Sequence, residues 1–140
     1  MRVINVQKLH ADSTLPTRAH ADDAGMDLYA LEDVVIPAGA GKMARTGVAI
    51  ALDLGYVGLI ADRSSLAKKG LKTAGGVIDA GYRGEIQVVF WNLSREEILI
   101  RKGDRMAQLL VMNVATPAVS ESHDLGSTGR GAGGFGSTGR

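Results

Sequence analysis

Residues 34–60 read VVIPAGAGKMARTGVAIALDLGYVGLI, and they decide the fold class. Three short runs rich in Val and Ile, at 34–36, 48–52 and 57–60, are separated by Pro37-Ala38-Gly39 and Asp53-Leu54-Gly55. Proline presets one backbone angle and glycine supplies positive φ, so each triplet stops a strand and turns the chain. The pattern continues outward. Asp79-Ala80-Gly81 and Lys102-Gly103-Asp104 punctuate the later sequence, with further runs at 86–91 and 98–100. Short strands and turn signals at this rhythm predict an all-β sandwich or barrel. Val88, Val89, Phe90 and Trp91 are apolar on both faces of their strand, so both faces are expected to be covered, one of them by a second subunit. Helix signals are few. Ser64-Ser65-Leu66-Ala67-Lys68-Lys69-Gly70 predicts one short helix, with hydroxyl caps first, basic residues last and a terminal glycine. Residues 104–114 fit two readings, because Met106, Leu109, Leu110 and Val114 also recur at a helical period.

Composition narrows the function. A length of 140 residues supports one domain, and 45% hydrophobic with 22% charged residues excludes general disorder. A net charge of +1 argues against a nucleic-acid binder that works by neutralising many phosphates. The absence of cysteine removes disulfides, thiol catalysis and cysteine-based zinc sites, and fits a reducing compartment. No run is long enough to span a membrane, and the opening MRVINVQKLHAD is too polar for a signal peptide. The expectation is a cytoplasmic domain with no membrane or direct nucleic-acid partner. Glycine is in excess, with 19 in all, and it crowds the tail PAVSESHDLGSTGRGAGGFGSTGR from Pro117 onward. The chain therefore divides into a β domain at 1–116 and a flexible C-terminal arm at 117–140. Within the arm, GSTGR at 126–130 recurs at 136–140 with Phe135 between the copies. Glycine, hydroxyls, guanidinium and one ring suit a segment that closes over an anionic, aromatic ligand.

Several motifs carry candidate chemistry. Gly131-Ala132-Gly133-Gly134-Phe135-Gly136 matches the dinucleotide fingerprint but lacks the strand, helix and distal acid that motif needs. His10, His20 and His123 show no ligand spacing and read as surface residues. Asn92-Leu93-Ser94 is a formal glycosylation sequon that reads as chance here. Arg63-Ser64-Ser65 sets a guanidinium beside hydroxyls and backbone donors, an anion site or else an ordinary helix start. Asp27 is one carboxylate inside the otherwise apolar AGMDLYA at 24–30, and such an acid needs a partner. Asp79 and Tyr82 lie on a tight turn that presents a carboxylate, a ring and backbone donors, or forms a plain hairpin.

Together these segments resemble the five motifs of the trimeric dUTP pyrophosphatases (dUTPases): AGMDLYA at 24–30, DRSSLAKKG at 62–70, GGVIDAGYRGEI at 75–86, GDRMAQLLV at 103–111 and RGAGGFGSTG at 130–139. Order and spacing follow the family over essentially the whole chain. The resemblance implies a distorted jelly-roll-like β-barrel and hydrolysis of dUTP to dUMP and pyrophosphate by water attack at the α-phosphorus. It implies that Asp79 is the general base. Tyr82 would pack under the deoxyribose and exclude a 2′-hydroxyl, and the backbone from Gly76 through Ile78 to Tyr82 would read the uracil edge. Arg63, Ser64, Ser65 and Gln108 would hold phosphates, and Asp27 would touch the waters of a Mg²⁺ chelated by the substrate. Phe135 would cover the base, while Arg130, Gly136, Ser137 and Thr138 would contact substrate from the arm. Each site would draw motifs one, two and four from one subunit, motif three from a second and the arm from a third.

Two positions depart from the family pattern: Ser65 stands for a glycine, and Gly81 for an acid. Glycine at that second place is similar to the dCTP deaminases, which share the fold. Their glutamate base would fall at Val89, however, so deaminase chemistry is disfavoured. A regulatory binding protein on the same fold is the other alternative.

Overall fold

The computed structural model describes residues 3–135. In chain order its elements are β1 (Asn5–Lys8), β2 (Met26–Tyr29), β3 (Val34–Ile36), β4 (Gly41–Arg45), β5 (Val48–Ala51) and β6 (Tyr56–Ala61). After them come α1 (Ser64–Ala67), β7 (Leu71–Ala74), β8 (Val77–Ile78), β9 (Gln87–Asn92), β10 (Ile98–Ile100) and β11 (Arg105–Asn113). The ladders are antiparallel and none joins strands that are neighbours in sequence. One sheet runs β2-β11-β6-β8 and a second β4-β9-β7, while β1-β5 and β3-β10 form two-stranded ladders. Early strands nest against late ones, which gives the jelly-roll-like barrel. Leu28, Ile36, Ile86, Phe90, Ile100, Met106 and Leu109 are sealed in its interior.

Residues 104–114 resolve as strand. Leu109 faces the core while Gln108 and Leu110 face outward, and pairing on both sides, to β2 and β6, makes β11 a central strand. Strand β9 alternates as well: Val88, Phe90 and Asn92 are buried. Its other face is not covered by the described residues, since Trp91 and its sheet neighbour Met43 are 48% and 57% exposed.

Two details of the predicted helix need correction, its length and its cap, and the plain-hairpin reading of the Asp79 turn is set aside. The helix is a single turn, Arg63 rather than a serine stands at its N-cap, and no side chain caps it. Gly70 does end this segment, at φ +89 with its N–H donating to the Ala67 carbonyl at 2.9 Å. The turn at Asp79 is closed by Tyr82 N–H on the Asp79 carbonyl at 3.0 Å, yet it is no hairpin. Strand β8 before it pairs with β6, whereas β9 after it pairs with β4 and β7. The chain crosses between sheets there, which lifts the turn onto the surface.

Asn92 has no exposed surface, so the sequon is closed to a glycan. Its amide donates to the carbonyls of Ile36 at 2.9 Å and Glu96 at 2.7 Å, and its oxygen accepts from Ser94 N–H at 3.0 Å and Ser94 Oγ at 2.7 Å.

Candidate active site

The motif residues gather in two concavities that share no lining residue. The first, of about 480 Å³, is lined by Asp27, Arg63, Ser64, Ser65 and Gln108, with His20, Asp23, Gly25 and Arg105 among the others. Asp27 comes from β2, Gln108 from the facing position of β11, and Arg63 from the loop after β6. Arg63 Nε lies 3.0 Å from Asp27 Oδ1, and Arg105 Nη1 lies 3.5 Å from Asp27 Oδ2. The acid that AGMDLYA placed among apolar neighbours thus has two guanidinium partners. Arg63 also donates to the Arg105 carbonyl at 2.8 Å. Gln108 donates to the Asp62 carbonyl at 2.7 Å, and its side chain fills the space a Cβ on residue 25 would need. The Asp62 carboxylate itself accepts from Lys72 Nζ at 2.7 Å, Thr73 N–H at 2.7 Å and Thr73 Oγ at 2.6 Å. Burial alone would push this carboxyl up, but the bonds from Lys72 and Thr73 outweigh it and hold the group below the ordinary carboxylate value.

The second concavity, of about 260 Å³, is lined by Gly76, Val77, Ile78, Asp79, Tyr82, Glu85, Met43 and Gln87. Gly76 is required twice over. Its φ is +90, and a Cβ there would stand 2.9 Å from the Ile60 Cβ. That approach lets Ile60 N–H reach the Gly76 carbonyl at 2.8 Å and sets the floor of the pocket. Asp79 is exposed, and its carboxylate accepts no hydrogen bond among the described residues. Gly81 has neither a positive φ nor a neighbour within 4 Å of its missing Cβ. The backbone therefore has no need of glycine at that place.

The described residues of the arm, 117–135, reach neither concavity in the single chain. Arg130 is exposed and donates to the Gly133 carbonyl at 2.9 Å, and Phe135 stands fully in solvent with φ 52. Gly136, Ser137 and Thr138 lie outside the described residues.

A dUTPase family model matches residues 11–139. The chain belongs to the dUTPase family. Among named relatives, the deoxyuridine 5′-triphosphate nucleotidohydrolase of Corynebacterium jeikeium is 49% identical, over 97% of this chain and 92% of that one. The enzyme of the same name from Paramecium bursaria Chlorella virus 1 is 43% identical over 99% of both. Among solved structures, a single-residue mutant of the Staphylococcus bacteriophage 80alpha dUTPase with dUpNHpp superposes at a TM-score of 0.93. It is 28% identical, with both chains covered completely. A phage phi11 dUTPase, solved to describe coordination of a structural Mg(II) ion, superposes at 0.83, with 27% identity over 89% of this chain and 99% of that one.

Two parts of the candidate site escape a motif-by-motif reading. Arg105 should point inward by strand alternation, together with Ala107 and Leu109. Strand β11 instead carries an extra residue against β2, where Arg105 faces Tyr29 and Ala107 already faces Leu28. Such a bulge re-aims the side chain before it, and Arg105 joins the outward row of Gln108. The signal in the sequence was the pair Met106-Ala107, two core-type residues in succession. Glu85 and its partner Arg45 gave no signal, because they lie 40 positions apart.

Proposed function

We infer that this chain is a dUTP diphosphatase, hydrolysing dUTP to dUMP and pyrophosphate, and that its site is assembled across a homotrimer. The observation that carries the mechanism is the division of the motif residues between two separate concavities. The concavity of about 260 Å³ lies below the usual range for a drug-sized ligand and suits a nucleoside. The other, with Arg63, Arg105, Gln108 and two serines, suits phosphates. One subunit supplies the phosphate half, a neighbour supplies the uridine half, and the arm of the third closes over both.

In this reading the Gly76–Tyr82 backbone pairs with the uracil amide edge. Cytosine sets donor against donor and acceptor against acceptor, which discriminates far better than size. Tyr82 lies beneath the sugar and leaves no room for a 2′-hydroxyl. Asp79, with an unencumbered carboxylate, accepts the proton of the attacking water. The water oxygen bonds to the α-phosphorus, the bond to the β-phosphate oxygen breaks, and pyrophosphate leaves. Arm closure excludes bulk water and strengthens each contact to the phosphates.

The donor set fits Mg²⁺ carried in by the substrate. Among the described residues no group of three or more His, Asp or Glu could hold a metal, and Asp27 offers one carboxylate at the rim of the phosphate pocket. Asp27 would meet the ion through its waters, as suits a cation that dehydrates reluctantly. The ion would neutralise phosphate charge.

One assay tests the reading. The protein is incubated with dUTP, UTP, dCTP or dTTP and Mg²⁺, and pyrophosphate and ammonia are measured. Pyrophosphate from dUTP alone is expected. Ammonia from dCTP would point to a deaminase, and no product to a binding protein.

A further inference from the structure

Tyr82 does not stand on its own turn. Its ring folds back over Gly84, where a Cβ would come within 2.5 Å of the hydroxyl oxygen, and that hydroxyl donates to the Glu85 carbonyl at 2.9 Å. The position of the ring is therefore referred to the backbone of residue 85. That residue is in turn fixed from outside the turn. Arg45, at the end of β4, grips the Glu85 carboxylate with Nε at 3.2 and 3.1 Å and Nη2 at 3.0 Å. Gly47 N–H adds a fourth contact at 2.8 Å. His10 accepts from Arg45 Nη2 at 2.7 Å and so orients the guanidinium. The carboxylate is mostly shielded, with side-chain exposure of 15% against 37% for Arg45, and it lines the same concavity as Asp79 and Tyr82.

We propose that Arg45 is a positioning residue for sugar selection: by holding Glu85 in a two-pronged ion pair, it sets how closely the Tyr82 ring approaches the sugar. This rests on the reading of Tyr82 given above. The geometry favours positioning over plain stability, because the next strand is already joined to the barrel without the ion pair. Ile86 N–H reaches the Val48 carbonyl at 2.8 Å, and Thr46 Oγ reaches the Ile86 carbonyl at 2.6 Å. What the pair adds is the placement of residue 85 itself. A two-pronged guanidinium–carboxylate contact fixes orientation as well as distance. Lysine would keep the charge and lose the orientation.

The test is a double-mutant cycle read on the ratio of kcat/KM for dUTP to that for UTP. Arg45→Met should lower this ratio about tenfold, more than it lowers kcat on dUTP. Arg45→Lys should recover part of the loss. Tyr82→Phe removes the hydroxyl link and should lower the ratio similarly. The double variant should be no worse than either single one, because both break the same chain of contacts. If Arg45→Met does not fold, as checked by circular dichroism, Arg45→Lys combined with Tyr82→Phe reads the same coupling. Additive losses, or an unchanged ratio in the Arg45 variants while Tyr82→Ala collapses it, would overturn the clamp. An unchanged ratio in Tyr82→Ala would overturn the reading of Tyr82 itself, and the clamp with it.

Discussion

Asp79 is exposed on a surface turn and its carboxylate accepts no hydrogen bond among the described residues, which leaves both oxygens open to a water. Asp79→Asn keeps shape and turn but cannot take the proton. Turnover of dUTP should fall by about two to four orders of magnitude, while calorimetry with a non-hydrolysable analogue such as dUpNHpp should show nearly unchanged affinity. Survival of turnover within about tenfold would make Asp79 only a turn residue. Gly25 offers a second handle on the phosphate half. Gly25→Ala collides with the Gln108 side chain and must push it off the Asp62 carbonyl. The colliding atom ends a flexible side chain, so the fold should lose less than about 1 kcal/mol while KM for dUTP rises. A wild-type KM would mean that Gln108 does not contact the phosphates.

Single residues also tie whole elements together. Asn92 joins β9 to β3 and to the turn before β10 through four satisfied hydrogen bonds. Asn92→Ala strands buried partners and should cost about 3 kcal/mol, read as a shifted urea midpoint with an unchanged slope. Asp62 fastens the loop before α1 to β7, with a pKa held below the ordinary carboxylate value. Its contribution is full above the unfolded pKa of about 3.9 and is lost as pH falls through the folded value. Asp62→Asn should therefore flatten the acid limb of a stability–pH curve and leave that curve's shape near neutrality alone. Identical limbs would show that Asp62 adds nothing. Most elements were legible in the sequence. Val34–Ile36 and Ile98–Ile100 have the predicted bounds, because turn residues flank them on both sides. The motifs also located both halves of the candidate site. What stayed hidden depends on pairing: the bulge that turns Arg105 outward, the sheet crossing at Asp79 and the Arg45–Glu85 grip all join segments that local pattern cannot relate.

At the scale of the molecule, the two concavities without a common residue predict that no lone chain turns over. A truncation ending at Leu125 should still assemble, since the described residues of the arm add nothing to the core, and be nearly inactive. Asp79→Asn should be nearly inactive for a different reason. Refolded together in equal amounts, the two should regain about a quarter of wild-type activity, given a closed three-fold ring with head-to-tail contacts. A site is then complete only when its uridine half comes from the truncated chain and its arm from the Asp79→Asn chain. No recovery, with mixed trimers confirmed by mass spectrometry, would rule out the three-chain site. The pairing order carries a consequence for synthesis. Strand β11 sits between β2 and β6 and is the last strand in the sequence among the described residues. Until a ribosome has made it, β2 has no partner strand and β6 has only β8, so a nascent chain holds its four-stranded sheet in two pieces until residue 113 has been added. Unpaired edges are where chains stick to one another. Slow translation of the codons between β8 and β11 should therefore raise aggregation, and slow translation of those before β2 should not.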